Sequence, residues 1–113
     1  MSHPNHLGAQ RKRWKLSYNE VAQLLGYRFE STVFRAEKHA RPLTIKSAIG
    51  CEIVFGRPVS ELFPEFYAET EDAVMRRAAK LDEALREDFS HEANLKRDFL
   101  RAIADRVHSR SRP

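Results

Sequence analysis

This 113-residue chain has little of what many protein chemistries require. It holds one cysteine, Cys51, so it cannot close an internal disulfide, which fits a reducing compartment. Cys51 reads as a small buried hydrophobe rather than a reactive thiol. Four glycines are too few for a phosphate-cradling glycine-rich loop. The histidines, His3, His6, His39, His91 and His108, share no ligand spacing, so no metal site is expected. No nucleophile–base pairing and no paired-carboxylate motif stands out, and the expectation is a non-enzyme without a cofactor. No apolar run approaches the roughly 18 residues of a membrane span, and Met1-Ser2-His3-Pro4-Asn5-His6 lacks the apolar core of a signal peptide. A cytoplasmic protein with no membrane partner is expected. The apolar–polar alternation of half-buried strands is missing as well.

What is present is charge, arranged in blocks. Residues 1–60 carry ten Lys/Arg against four Asp/Glu. Residues 61–92 reverse this, with four against ten, and residues 93–113 carry six against two. A basic N-terminal half fits a polyanionic partner, whereas the acidic middle would be repelled by one. Solvated helix faces would give the same imbalance without any partner. The length suits one domain with an appendage.

Nearly every segment has helical periodicity. The first helix is expected from about Asn5–Leu7 to Trp14–Lys15, with Leu7, Arg11 and Trp14 on one face and Trp14 in the core. The second has Ser17 as N-cap and Glu20 three residues on, a capping box. Val21, Leu24 and Leu25 form its apolar stripe, and Gly26 supplies the positive φ that ends it. After Tyr27-Arg28-Phe29-Glu30, a third helix is capped by Ser31 or a neighbour and turns Val33 and Ala36 inward. It stops near His39–Ala40, ahead of Arg41-Pro42. Thr44 caps a fourth helix with Ile45, Ala48, Ile49, Ile53, Val54 and Phe55 inside, and Gly56 ends it. A short fifth element covers Ser60-Glu61-Leu62-Phe63, closed by Pro64. Beyond it, Val74, Ala78, Leu81 and Leu85 recur at spacings of four, three and four. That stripe is narrow, like a coiled-coil seam. A break at Phe89-Ser90 precedes a second stripe, Leu95, Phe99, Ile103 and Val107. The tail from Ser109 to Pro113 is expected to be disordered.

Residues 7 to 64 resemble the Cro and lambda-repressor-like, or XRE-type, helix-turn-helix family. The resemblance rests on Arg11, Leu16-Ser17, Val21-Ala22-Gln23-Leu24-Leu25-Gly26, Ser31-Thr32-Val33, Arg35, Glu37, Pro42, Phe55-Gly56 and Glu61-Leu62-Phe63. Gln10 stands where a leucine is usual, Lys15 where glycine is common, and His39 where Gly or Asn often ends the third helix. The linker before Ser31 also looks one residue longer than usual. The resemblance implies an all-α fold. A five-helix helix-turn-helix domain would occupy residues 1–65, followed by a helical extension over 66–113. It implies base contacts from Glu30, Ser31, Arg35 and Lys38, and phosphate contacts from Tyr18, Lys38, Arg41 and Lys46. Arg11 and Glu37 would form a structural ion pair between the first and third helices. Residues 66–113 resemble no family.

Elementary chemistry points the same way. A helix N-terminus favours a phosphate. Arg35 can fork two hydrogen bonds to guanine O6 and N7, and lysines act as point charges on phosphate. Glu30 can accept from cytosine N4 or cap the third helix. The expected function is a sequence-specific DNA-binding transcriptional regulator, a homodimeric repressor on a two-fold operator. Val74, Ala78, Leu81 and Leu85 would form the dimer seam or pack back on their own domain. Two other functions fit the same sequence: an antitoxin whose C-terminal helices neutralise a toxin, and a helical protein-interaction adaptor.

Overall fold

The computed structural model describes residues 5–39 and 44–111, with the His39 and Ser111 side chains left aside. Among these residues the secondary structure is helical, as the sequence predicts: α1 (Leu7–Arg13), α2 (Tyr18–Leu25), α3 (Glu30–His39), α4 (Ile45–Phe55), α5 (Val59–Leu62), α6 (Pro64–Leu85) and α7 (His91–Ser111). The chain forms two compact units, residues 1–68 and 69–113, and the division falls inside α6. Pro64 opens α6 rather than closing the first unit, a first-turn position where its missing N–H costs nothing.

In the first unit α2 packs against α3 and α4, α1 against α3, and α4 against α5. The core is Leu7, Val21, Ala22, Val33, Ala36, Cys51, Phe55, Leu62 and Phe63, with Leu16, Tyr18, Leu25, Tyr27 and Phe66 packed on it. Each fully buried Leu or Val among them contributes about 1.5–3 kcal/mol. Cys51 is sealed inside, and burial pushes its thiol up to about 11, which keeps it protonated. Local signals set the helix ends. Ser17 Oγ accepts from Glu20 N at 3.0 Å while Glu20 Oε1 accepts from Ser17 N at 2.8 Å. Gly26, at φ 78°, ends α2, and Gly56, at φ 65°, ends α4. Thr44 Oγ1 accepts from Ser47 N at 3.1 Å and caps α4. Lys15 also adopts a positive φ, 57°, in the turn after α1.

Several expected core residues lie outside. Trp14 is 62% exposed because α1 ends one residue before it. Leu24 is 56% exposed, and Ala22 takes its place against the core. The largest difference is in α4, where Ile45, Ile49 and Ile53 stand in solvent at 80%, 51% and 77% exposure. That helix is mostly apolar, its Cys51–Phe55 side faces inward, and its charged residues Lys46 and Glu52 flank the exposed isoleucine stripe. Two apolar stripes compete there, and the flanking Lys46 and Glu52 mark the isoleucine stripe as the outer one.

The second unit is an antiparallel pair made by α6 and α7. Arg97 Nε donates to Asp82 Oδ1 at 2.9 Å, and Arg110 pairs with Glu71, so residue numbers facing each other sum to about 180. Arg97 holds the Asp82 carboxyl below its usual range. Ser90 caps α7 through Ala93 N at 3.1 Å, as the expected break requires. Ala93 and Leu100 are buried, whereas Leu95 and Phe99 of the expected second stripe are 55% and 61% exposed. The helix continues through Ser109, Arg110 and Ser111, where the sequence suggests disorder, and the Arg110–Glu71 pair lies on that last turn.

Candidate nucleic-acid interface

Two helix ends and one helix face define the site. The capping box starts α2 at Tyr18, and Gly26 turns the chain so that Tyr27 N donates back to Ala22 O at 2.8 Å. The chain then enters α3 at Glu30, one residue earlier than a Ser31 start, so Glu30 lies in the first turn, where a carboxylate suits the helix dipole. Val33 and Ala36 are buried against the core at 0% and 4% exposure. Helical periodicity therefore turns Ser31, Arg35 and Lys38 to the opposite side, and all three are exposed, as is Glu30.

An ion pair fixes the attitude of α3. Arg11 Nε donates to Glu37 Oε2 at 2.6 Å and Arg11 Nη2 to Glu37 Oε1 at 3.3 Å. The two side chains are only 10% and 7% exposed. Arg11 Nη1 also donates to Leu16 O at 3.1 Å, and the guanidinium lies 4.1 Å from the Tyr18 ring centroid. The hydrogen bond to Glu37 raises the Arg11 pKa above its ordinary value, against the opposing effect of burial. The fork geometry and the remaining donors of Arg11 satisfy a pair that would otherwise be costly to bury. Asn5 adds a second tie: Nδ2 donates to Ala36 O at 3.0 Å and Glu37 O at 3.2 Å, while Oδ1 accepts from Leu7 N at 3.0 Å. Together α1 and its lead-in hold the C-terminal half of α3.

The expected phosphate contacts are not all alike. Lys46 is exposed on the first turn of α4. Tyr18 is half-buried, with the Arg11 guanidinium against its ring and the Phe34 ring edge-on to it at 5.7 Å and 78°. Its ring is therefore a packing element, whatever its hydroxyl meets. Arg41 lies outside the described residues.

Sequence reasoning missed other exposed groups. Lys12, Arg13 and Lys15 are exposed within six residues of the start of α2, and the Arg13 guanidinium lies 5.6 Å from the Trp14 ring centroid. The run Arg11-Lys12-Arg13-Trp14-Lys15 was the available signal, a cationic stretch with an aromatic inside it. Phe29 is 60% exposed with Arg28 at 5.6 Å, and Phe34 is 43% exposed with the Lys38 ammonium at 5.7 Å. Such pairs are worth about 0.5–1 kcal/mol at exposed sites.

Among the described residues no group of three or more His, Cys, Asp or Glu side chains could hold a metal ion. Nor is any helix among them long and apolar enough to cross a membrane. Comparison with protein-family models, with curated proteins and with solved structures finds no match to this chain.

Proposed function

We propose that the protein is a sequence-specific DNA-binding transcriptional regulator of the helix-turn-helix type. The observation that carries this reading is the outer face of α3, where Ser31, Arg35 and Lys38 stand exposed opposite the buried Val33 and Ala36. In this reading α3 enters the major groove and Arg35 forks onto a guanine. The N-terminus of α2 meets one phosphate, and Lys46, on the first turn of α4, meets another. The Arg11–Glu37 pair holds α3 in the presenting attitude.

The regulator acts as a homodimer through the α6–α7 pair. Val74 and Leu81 are 41% and 50% exposed, with Ala78 and Leu85 half-buried beside them. In the register set by Asp82–Arg97, Phe99 lies level with Leu81 and Leu95 with Leu85, so both helices leave apolar side chains uncovered along the same length. Two such pairs associating would give a four-helix bundle with its seam at these residues. Dimerisation sets two recognition helices about 34 Å apart and compensates for the small DNA surface one domain buries.

Selection of bound sequences from a random DNA pool tests the reading. The expected product is a two-fold motif with half-sites one helical turn apart. A pool that remains random after selection would refute DNA recognition. The same uncovered side chains favour one second reading, an antitoxin whose hairpin receives a toxin. In that case the full chain is monomeric until its partner is supplied.

A further inference from the structure

Among the side chains on α3, Phe34 has no role in the reading above. Val33 and Ala36 fill the core, Glu37 pairs with Arg11, and Ser31, Arg35 and Lys38 are hydrophilic and point outward. Phe34 is a large apolar ring left 43% exposed in the middle of that helix. Solvation alone does not explain it, because a polar side chain suits the solvent-facing part of that place better than an apolar ring. Core packing explains it in part: the ring edges against Tyr18, at 5.7 Å and 78°, yet 43% of the residue stays open to solvent. Its position is specific. Phe34 follows Ser31 by three residues and precedes Lys38 by four, so all three share one side of α3. Relative to Ser31 and Arg35 it is displaced toward Tyr18, at the start of α2. On the DNA-binding reading, that flank lies between the groove floor, which Arg35 reads, and the phosphate that the α2 N-terminus grips.

The major groove offers one apolar feature to a ring at that place, the C5-methyl of thymine. Adenine, guanine and cytosine present polar edges there. The Tyr18 contact and the Lys38 ammonium, 5.7 Å from the ring centroid, restrict where the ring can swing. A restrained ring loses less side-chain entropy on binding than a free one.

We infer that Phe34 is a specificity-determining residue that selects a thymine, through apolar contact with its methyl group, beside the base pair read by Arg35. The inference rests on the DNA-binding reading and extends it from polar to apolar readout.

The test begins from the motif selected in the random pool. Each thymine in it is replaced in turn by deoxyuridine, which removes the methyl and nothing else. Binding by the full-length protein is then measured for the wild type and for Phe34→Ala and Phe34→Leu. At one thymine per half-site the wild type loses affinity about fourfold, the worth of one buried methyl-sized group. Phe34→Ala binds the thymine and uracil sites equally. Phe34→Leu, apolar and more easily accommodated in the fold, retains part of the preference. If no replacement changes wild-type binding, or if Phe34→Ala keeps the full thymine preference, the inference is overturned while DNA recognition stands. If the pool yields no motif at all, the functional reading itself has failed. The uracil scan on wild type needs no variant to fold, so an unstable Phe34→Ala leaves that decision in place.

Discussion

A β-carbon built on Gly8 would stand 2.8 Å from Glu37 Oε1. Glycine at this position lets the carboxylate of α3 come up against the backbone of α1, where Arg11 grips it one turn later. A free glutamate tip would simply swing away, but this one is forked by Arg11 at 2.6 and 3.3 Å. Gly8→Ala therefore sets two effects against each other. Alanine gains up to about 1 kcal/mol of helix propensity. Displacing the carboxylate costs more, since breaking a buried pair outright costs about 3–5 kcal/mol. The expected outcome is net destabilisation in urea melts. In a Glu37→Ala background, which removes the side-chain atoms the β-carbon would meet, the penalty should shrink; an equal penalty in both backgrounds would show that Glu37 is not what Gly8 accommodates.

Lys15 holds φ at 57°, a left-handed backbone that costs a non-glycine residue roughly 1 kcal/mol. Lys15→Gly should raise stability by up to about that amount, and Lys15→Val, β-branched, should lower it. Thermal melts of the two variants check the ordering.

Arg35 and Lys46 should fail in different ways. Arg35→Ala is expected to cost about 1–3 kcal/mol on the selected site and to relax preference at one base pair. Lys46→Ala should weaken specific and non-specific binding alike and reduce the slope of log K against log salt by about one. Titrations at several salt concentrations separate the two, and an Arg35→Ala variant that weakens all sequences equally would make Arg35 a phosphate contact.

Leu81 is half-exposed, so Leu81→Asp should leave the helix pair folded, with unchanged circular dichroism. Light scattering should then give a monomer where the wild type gives a dimer, with much weaker binding to a two-fold site. A wild type that is monomeric at micromolar concentration would remove the dimer from the account.

The Asp82 carboxyl is held below its ordinary value by the hydrogen bond from Arg97. A group with a lowered folded-state pKa stabilises fully above its unfolded value of about 3.9 and loses that contribution as pH falls through the lower folded value. The second unit should therefore lose stability below about pH 4, and Asp82→Asn should flatten that acid limb without steepening it near neutrality. Helicity followed from pH 7 to 2 for both proteins is the check.

Legibility followed the kind of signal each residue gives. Ser17–Glu20, Thr44, Gly26 and Gly56 act through their own backbone, so they can be read from neighbours in the chain. Arg11 and Glu37 were legible only through a family resemblance, because nothing local joins positions 26 residues apart. The positive φ of Lys15 was not legible, because lysine is not a residue type that marks a left-handed backbone. The α4 isoleucines were misread because their apolar character was weighed above the charged Lys46 and Glu52 that flank their stripe. Trp14 was misread because its exposure depends on where α1 stops, one residue earlier than its apolar spacing suggests. Asn5 gave no signal at all: its partners are carbonyls of α3, and backbone acceptors have no signature in sequence.

That asparagine bears on how the protein can be handled. The fifth residue reaches Ala36 O and Glu37 O, and its neighbour His6 donates through its backbone to Leu62 O at 2.7 Å. Asn5 and His6 thus work as a clasp on two later helices, α3 and α5. Cleavage after His6, or a bulky group that pulls Asn5 and His6 away, would loosen α3 at a distance from its own sequence.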